Sequence, residues 1–411
     1  MNIFSKINLK GDRGIWVVMI LLSMASILMV YSSAAGIGQP WNYLGKQTLG
    51  LIGGLFLAYI LSHIPSSYFK GSAIIIFIIS IVLMVLLLKF GVLRNGARRI
   101  LCFFQPIEFV KIGLLIFTAK MLEIYQQKPK TIKSYLLVLV PIIGVCFLIF
   151  LSSFSSALIL GVSCFIMMCV AGIRRKHLLA TVLVAIGILL IGIGITVVTV
   201  KYTKALRDSG KKVEGITLTI EKALYKTRLP TVVSRSGLLK DDNQPTKNNQ
   251  HLKKYEQADY ARLAIASSGL IGKGVGKSTF RYYLPEAFSD FIFTITVEEW
   301  GILFTIVLIL FYFLLFPWRV GVIIAKSNTY FPTFLVVGIT LQITLQALVH
   351  MGVSTGFFPV TGQNLPLVSQ GLSNVFSTCI MFGIVLSISR EVRTKSQAQV
   401  ESISIKNASN I

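Results

Sequence analysis

The sequence predicts an all-α fold: a polytopic membrane protein of about ten transmembrane helices, with a large extracytoplasmic loop between the seventh and the eighth. Three observations carry this. Of the 411 residues, 54% are hydrophobic and only 14% charged, against roughly 25% charged in soluble domains. Crossing about 30 Å of hydrocarbon takes about 20 helical residues, and apolar runs of that length recur along almost the whole chain. The lysines and arginines cluster on alternate connections between these runs, as expected when basic loops are retained in the cytoplasm.

The first run, about 15–33, follows the polar lead MNIFSKINLKGDRG, lacks a small-residue cleavage site and is followed by further spans. It is expected to be a retained helix and not a removed signal peptide. Further spans are expected at about 45–62, 72–90, 107–124, 134–152, 155–173, 178–200, 290–316, 329–351 and 373–390. An even number puts both termini on one side. That side collects Lys6, Lys10, Arg13, Lys70, Lys128, Lys130, Lys133, Arg174, Arg175, Lys176, Arg319, Lys326, Arg390, Arg393, Lys395 and Lys406, whereas the opposite short loops carry only Arg94, Arg98 and Arg99. Both termini are therefore expected in the cytoplasm, with 391–411 as a cytoplasmic tail, and 201–289 outside. Within that loop, 201–254 is polar and poor in aromatics and is expected to be a mobile excursion. Residues 255–289 combine a helical-period stretch with a glycine cluster and are expected to be ordered at the membrane surface.

Sorting the charge by side removes a nucleic-acid reading of the net +24. Cys102, Cys146, Cys164, Cys169 and Cys379 form no CxxC or His/Cys cluster, so neither a disulfide framework nor a zinc site is expected. The cluster Gly272–Thr279 is not a nucleotide loop, because Ile271 stands where GxxxxGK[ST] needs glycine and no strand precedes it. It is a flexible basic turn, whose Lys273 and Lys277 are placed to attract an anionic group.

Other side chains bear chemistry. Asp290, at the external mouth of the eighth span, suits a general base; equally it suits a helix-start acid, with Ser289 or itself as cap. Glu108 and Lys111, three apart at the start of the fourth span, predict an intramembrane ion pair facing the bundle or a cavity. At least one of Glu298 and Glu299 should turn inward, to a basic partner or a polar cavity, and a transporter would use such residues too. Arg98 and Arg99 suit capture of phosphate or carboxylate, or equally an interfacial anchoring pair. Gly356, Pro359, Gly362, Pro366 and Gly371 break helix in a segment that stays apolar, which predicts a re-entrant loop shaping a site. His350 is expected to be a structural hydrogen-bonding residue.

Taken in order, NGARR…FQPIEFVK, SSGLIGKGVGKS, LPEAFSDFIFTITVEEWG and GFFPVTGQNLPLVSQG resemble the FtsW/RodA/SpoVE family of bacterial shape, elongation, division and sporulation proteins. The likeness covers essentially the whole chain and is greater to the division branch than to the elongation branch. It implies a peptidoglycan glycosyltransferase of the bacterial cytoplasmic membrane, polymerising lipid II into polyprenyl-diphosphate-linked glycan on the outer face. The partners it implies are a class B penicillin-binding transpeptidase and other divisome membrane proteins. Asp290 matches the family's essential aspartate, and Glu108 and Lys111 its intramembrane pair. Arg98, Lys273, Lys277 and Ser369 match positions lining the substrate region. A divalent cation, Mg or Mn, is the one cofactor considered. The sequence differs from the usual pattern in Ile100, where tryptophan is common, and in Phe288-Ser289, where His-Thr is usual. A lipid II flippase and a non-catalytic division scaffold are the alternative readings.

Overall fold

A computed structural model describes residues 11–38, 40–94, 97–101, 104–128, 131–187, 198, 257–284 and 286–408 of the chain. Helix is found at each of the ten expected spans. Asp12 caps α1 (Arg13–Ala34), its carboxylate accepting from the N–H groups of Gly14 at 2.8 Å and Ile15 at 3.2 Å. That satisfies donors a helix start otherwise leaves unpaired. α2 (Pro40–His63) and α4 (Pro106–Gln127) open on proline, whose fixed φ and missing N–H suit a first turn. Between them α3 spans Ser66–Phe90. Its start is capped from a distance: Glu391 accepts from the Ser66 N–H at 2.6 Å and its hydroxyl at 2.5 Å. Thr131 and Ser153 are the side-chain caps of α5 (Ile132–Ser152) and α6 (Phe154–Val170). α7 occupies residues 175–187. The rest of the seventh span and the whole of 201–254 lie outside the described residues.

The second half comprises α8 (Gln257–Ala266), α9 (Ile292–Leu310), a π-helical turn at Phe311–Leu315, α10 (Phe316–Ala325), α11 (Tyr330–Ser354) and α12 (Leu372–Ala408). The eighth expected span is thus α9 and α10 together, 34 residues in length. α12 runs on as helix well past residue 390, so the expected tail begins as a continuation of the last span. Seven helices among the described residues, counting Ile292–Ala325 as one, are long and apolar enough to cross a membrane, and Phe154–Val170 is shorter. α4 carries Glu108, Lys111, Lys120 and Glu123 and is enclosed by α3, α5, α6, α11 and α12. The protein is an all-α polytopic membrane protein.

One element was not expected. The connection between α3 and α4 contains a short antiparallel pair of strands, β1 (Val92–Arg94) and β2 (Ala97–Ile100). The pairing satisfies backbone groups that a connection between two helices would otherwise leave open.

Small residues let the helices approach closely, which is how packing drives association in lipid. Gly50, Gly53 and Gly54 of α2 face Leu372, Phe376 and Cys379 of α12. A Cβ on Gly383 would come within 2.9 Å of the Ala58 Cα. α12 is thereby locked against α2, and both helices supply walls of the cavity described next.

Candidate functional site

At the end of the bundle where α2 and α12 begin lies a cavity of about 410 Å³. Tyr43 and Lys46 of α2 form one wall, Ile100 of β2 with Phe104 and Gln105 another. Glu286, Phe288, Ser289 and Asp290 come from the loop before α9, Gly362, Asn364, Gln370 and Gly371 from the loop before α12, and Leu372, Ser373 and Asn374 from the first turn of α12. Two loops from distant parts of the sequence therefore meet across it. Gln370 donates its N–H to the Phe288 carbonyl at 3.0 Å, and the Ser369 hydroxyl donates to the Ser289 carbonyl at 2.7 Å. The same Ser369 oxygen accepts from the Leu365 N–H at 2.7 Å.

Each loop holds a non-glycine residue in the left-handed region: Glu286 at φ 57° and Leu367 at φ 64°. Such conformations cost about 1–3 kcal/mol and persist where the surroundings over-determine them, which is common at functional sites. Here the Glu286 carbonyl accepts from both Ser289 N and Asp290 N at 3.0 Å, folding the loop back before the helix. Asp290 is half-buried, and the Ser289 hydroxyl donates to its Oδ1 at 3.2 Å. The expected cap role at Ser289 or Asp290 is not met: the cap of α9 is Phe291, and it has no side-chain cap bond. A small apolar cluster of Ala261, Leu284, Ala287, Phe291, Ile295 and Val353 seats α8 beneath this loop.

Behind the cavity stands the expected ion pair. Lys111 Nζ lies 2.8 Å from Glu108 Oε2 and donates to Gln346 Oε1 at 2.9 Å, with its side chain fully buried. Gln346 in turn donates to the Asn364 carbonyl at 3.0 Å, and Asn374 Nδ2 donates to the Leu365 carbonyl at 3.2 Å. The intramembrane pair is thus wired to the loop that forms the cavity wall. His350 has the structural role expected of it, with Nδ1 2.6 Å from the Gln363 carbonyl.

The glycine cluster sits elsewhere than expected. α9 is broken at Gly301 (φ 76°, ψ −179°), and residues 269–274 cross the break. Lys273 N and Gly274 N donate to the Glu298 and Glu299 carbonyls at 3.0 and 2.9 Å; Ile302 N and Leu303 N donate to the Gly269 and Leu270 carbonyls at 3.3 and 3.2 Å. Both glutamates are buried inward. Lys273 Nζ is 2.6 Å from Glu298 Oε1, whose carboxylate also takes Ser278 and Thr279. Ser32 donates to Glu299 at 2.5 Å, with Arg281 at 4.0 Å.

A family model described as the FtsW/RodA/SpoVE cell cycle proteins matches residues 12–228 and 230–394. The chain belongs to the FtsW/RodA/SpoVE family. It is 30% identical over 387 residues to a Hydrogenovibrio crunogenus protein named probable peptidoglycan glycosyltransferase FtsW, covering 91% of this chain and 90% of that one. Over 395 residues it is 28% identical to stage V sporulation protein E of Bacillus subtilis, covering 92% and 96%. Among solved structures it shares its fold with a chain from work on polymerization and crosslinking by a peptidoglycan synthase complex, at 23% identity, TM-score 0.69, covering 93% of this chain and 98% of that one. The rod shape determining protein RodA of Thermus thermophilus is similar at 22% identity and TM-score 0.63, covering 94% and 98%.

In this member of the FtsW/RodA/SpoVE family the expected site residues separate into three groups. Asp290 lines the cavity. Glu108, Lys111 and Ser369 support its walls from behind, Ser369 being fully buried with its hydroxyl engaged twice. Lys273 pairs with the buried Glu298 carboxylate and lines no wall of this cavity. Lys277 is exposed on the same turn and lines no wall of this cavity. For Arg98 only the backbone, in β2 beside Ile100, is described. Sequence reasoning missed Lys46, Tyr43 and Glu286. Lys46 falls inside the expected second span, and a lone basic residue near the start of an apolar run is the signal that marks it.

Proposed function

We propose that this protein is a peptidoglycan glycosyltransferase that polymerises lipid II at the outer face of the bacterial cytoplasmic membrane, in cell division, with both termini cytoplasmic. The activity printed for the H. crunogenus relative supplies the reaction class. The observation that carries the reading in this chain is Asp290, half-buried on the wall of a cavity formed by two strained, mutually hydrogen-bonded loops. The extending glycan, linked to a lipid diphosphate, is the donor, and a sugar hydroxyl of an incoming lipid II is the acceptor. Asp290 takes the acceptor proton as the new glycosidic bond forms with inversion, and the diphosphate leaves with the electron pair of the broken bond. Proton removal in the transition state strengthens a weak hydroxyl nucleophile, an effect typically worth about 10²–10⁴-fold.

The Ser289 hydroxyl orients the base by donating to its Oδ1. Polyprenyl tails would lie against the lipid-facing helix surfaces, and a class B penicillin-binding transpeptidase and other divisome membrane proteins are the partners this role requires. No group of three or more His, Cys, Asp or Glu side chains suited to a metal occurs among the described residues. The carboxylates of Glu286 and Asp290 both lie within reach of the Ser289 hydroxyl and would hold a Mg or Mn ion there. Such an ion would supply positive charge to the leaving group.

A transporter reading needs polar groups left open along the bundle. Glu108, Lys111, Glu298 and Glu299 are instead paired with one another or with basic and hydroxyl side chains, which favours the enzyme. The test is polymerisation of labelled lipid II by the purified chain, alone and with its transpeptidase. Asp290→Asn should abolish glycan polymer while the protein stays folded and membrane-inserted. Polymer at the wild-type rate would overturn the assignment.

A further inference from the structure

A leaving diphosphate needs a cation beside it, and the sequence offered lysines of the glycine cluster for that task. The structure redistributes them. Lys273 is held by Glu298, and Lys111 by Glu108 and Gln346. Lys46 is different. It is the one basic residue among the described side chains lining the Asp290 cavity, it is exposed, and it has no ion pair or hydrogen bond among the described residues.

Its place on the wall is fixed by its neighbours on α2. One turn earlier the Tyr43 ring packs on Phe288, two residues before Asp290, with centroids 4.6 Å apart. At the next position Gln47 Nε2 donates to Ser26 Oγ at 2.7 Å, and Ser26 donates to the Val368 carbonyl at 2.9 Å. The turn bearing Lys46 is therefore pinned to both loops that close the cavity. A lysine on a fixed turn, without a carboxylate of its own, facing a cavity whose other ionisable walls are Glu286 and Asp290, is set up for an anionic ligand.

We infer that Lys46 is the side chain that binds the leaving diphosphate of the lipid-linked donor. This rests on the glycosyltransferase reading of the same cavity. The reaction geometry selects the donor's diphosphate over the acceptor's. The attacking oxygen and the leaving oxygen share one anomeric carbon, so the leaving group lies within a few bond lengths of the proton that Asp290 removes. The acceptor's own diphosphate is a disaccharide away from its reacting hydroxyl. In the step, the acceptor O–H proton passes to the Asp290 carboxylate and the acceptor oxygen bonds the anomeric carbon. The bond from that carbon to the diphosphate oxygen breaks, and its electron pair leaves with the diphosphate. Lys46 offsets that charge without giving up its proton, the electrostatic stabilisation of a developing anion.

The experiment uses the full-length protein in liposomes with labelled lipid II, with inorganic pyrophosphate as a competing anion. Lys46→Ala is expected to lower kcat/KM for polymerisation and to raise the inhibition constant for pyrophosphate, each about tenfold or more, the scale of one charge-assisted hydrogen bond. Lys46→Arg should restore most of both, and raised salt should depress wild-type activity more steeply than that of Lys46→Ala. Lys326→Ala, an exposed lysine at the end of α10, serves as the charge-removal control and should leave both values unchanged. An inhibition constant unchanged in Lys46→Ala, or a loss that Lys46→Arg does not restore, would overturn the assignment. If Asp290→Asn abolishes polymer while Lys46→Ala matches wild type, the cation assignment fails and the enzyme stands. If Asp290→Asn still polymerises, the glycosyltransferase reading of the cavity fails first.

Discussion

Replacing Gly301 by alanine tests whether the break in α9 is a built feature of the fold. Its φ of 76° and ψ of −179° fall in a region essentially restricted to glycine, where any other residue costs about 1–3 kcal/mol. Space is also lacking. A Cβ at Gly301 would run into the backbone of Leu270, Ile271 and Gly272, and a Cβ at Gly272 would run into Glu299 and Gly301. The two glycines cross with no side chain between them, and four backbone hydrogen bonds of 2.9–3.3 Å bracket the crossing. Pushing the strands apart loses some of these, at about 1–3 kcal/mol for each buried group left unpaired. The sum is about 4 kcal/mol, a large part of a typical total of 5–15 kcal/mol. Thermal unfolding in detergent should show Gly301→Ala melting roughly 5 °C below wild type. Gly276→Ala separates the two causes. Gly276 also has a positive φ, 77°, but nothing lies within 4 Å of its Cβ position, so only the conformational cost of about 1–2 kcal/mol applies. A Gly301→Ala protein melting within about 2 °C of wild type, or no lower than Gly276→Ala, would refute the crossing as a source of stability.

Lys111→Met should destabilise the protein by about 3–5 kcal/mol, because it strands the buried Glu108 carboxylate without its cation. Glu108→Gln with Lys111→Met should recover most of that in a double-mutant cycle read by thermal unfolding. Ser369→Ala removes a hydroxyl that both accepts from Leu365 and donates to Ser289, so it should cost about 1–3 kcal/mol. Because those bonds join the two walls of the cavity, Ser369→Ala should also lower polymerisation at temperatures where the protein remains folded, and Ser369→Thr should retain more of it.

The spans were legible because hydropathy and loop charge are local properties of the sequence. So was the Glu108–Lys111 pair, since three-residue spacing on a helix fixes which side chains meet. The partners of Glu298 and Glu299 were legible only as a class. The sequence shows that a buried carboxylate needs a cation or donors, but which lysine satisfies it depends on a crossing between residues 269–274 and the helix break at Gly301. For the same reason Lys273 looked available. Lys46 failed in the opposite direction: averaged into an apolar run it vanished, and only the meeting of α2 with two distant loops gives it a site. The pair of β1 and β2 was hidden because its strands are three and four residues long, too short for a period-two pattern to stand out from the flanking helices.

The distribution of buried charge bears on how the molecule works. Deep in the bundle, each carboxylate is answered: Glu108 by Lys111 and Ser377, Glu298 by Lys273, Ser278 and Thr279, Glu299 by Ser32, Ser278 and Arg281. Ionised groups in hydrocarbon are costly unless paired, and pairs this complete hold helices and loops in register; they do not pass ions or headgroups along. Lys46, Glu286 and Asp290 lie together on the walls of one cavity at one end of the bundle. A lipid whose tail stays in the membrane and whose diphosphate and sugar sit at the interface would meet that cavity without entering the bundle. The buried ion pairs then have a mechanical function: Lys111 through Gln346 and Asn364 fixes the loop before α12, and Lys273 through Glu298 ties the turn at 269–279 to α9, the helix that follows the Asp290 loop. Placing reacting groups in a held geometry is a large source of rate enhancement, so loosening either pair should slow polymerisation even where no charged group of the cavity has been changed.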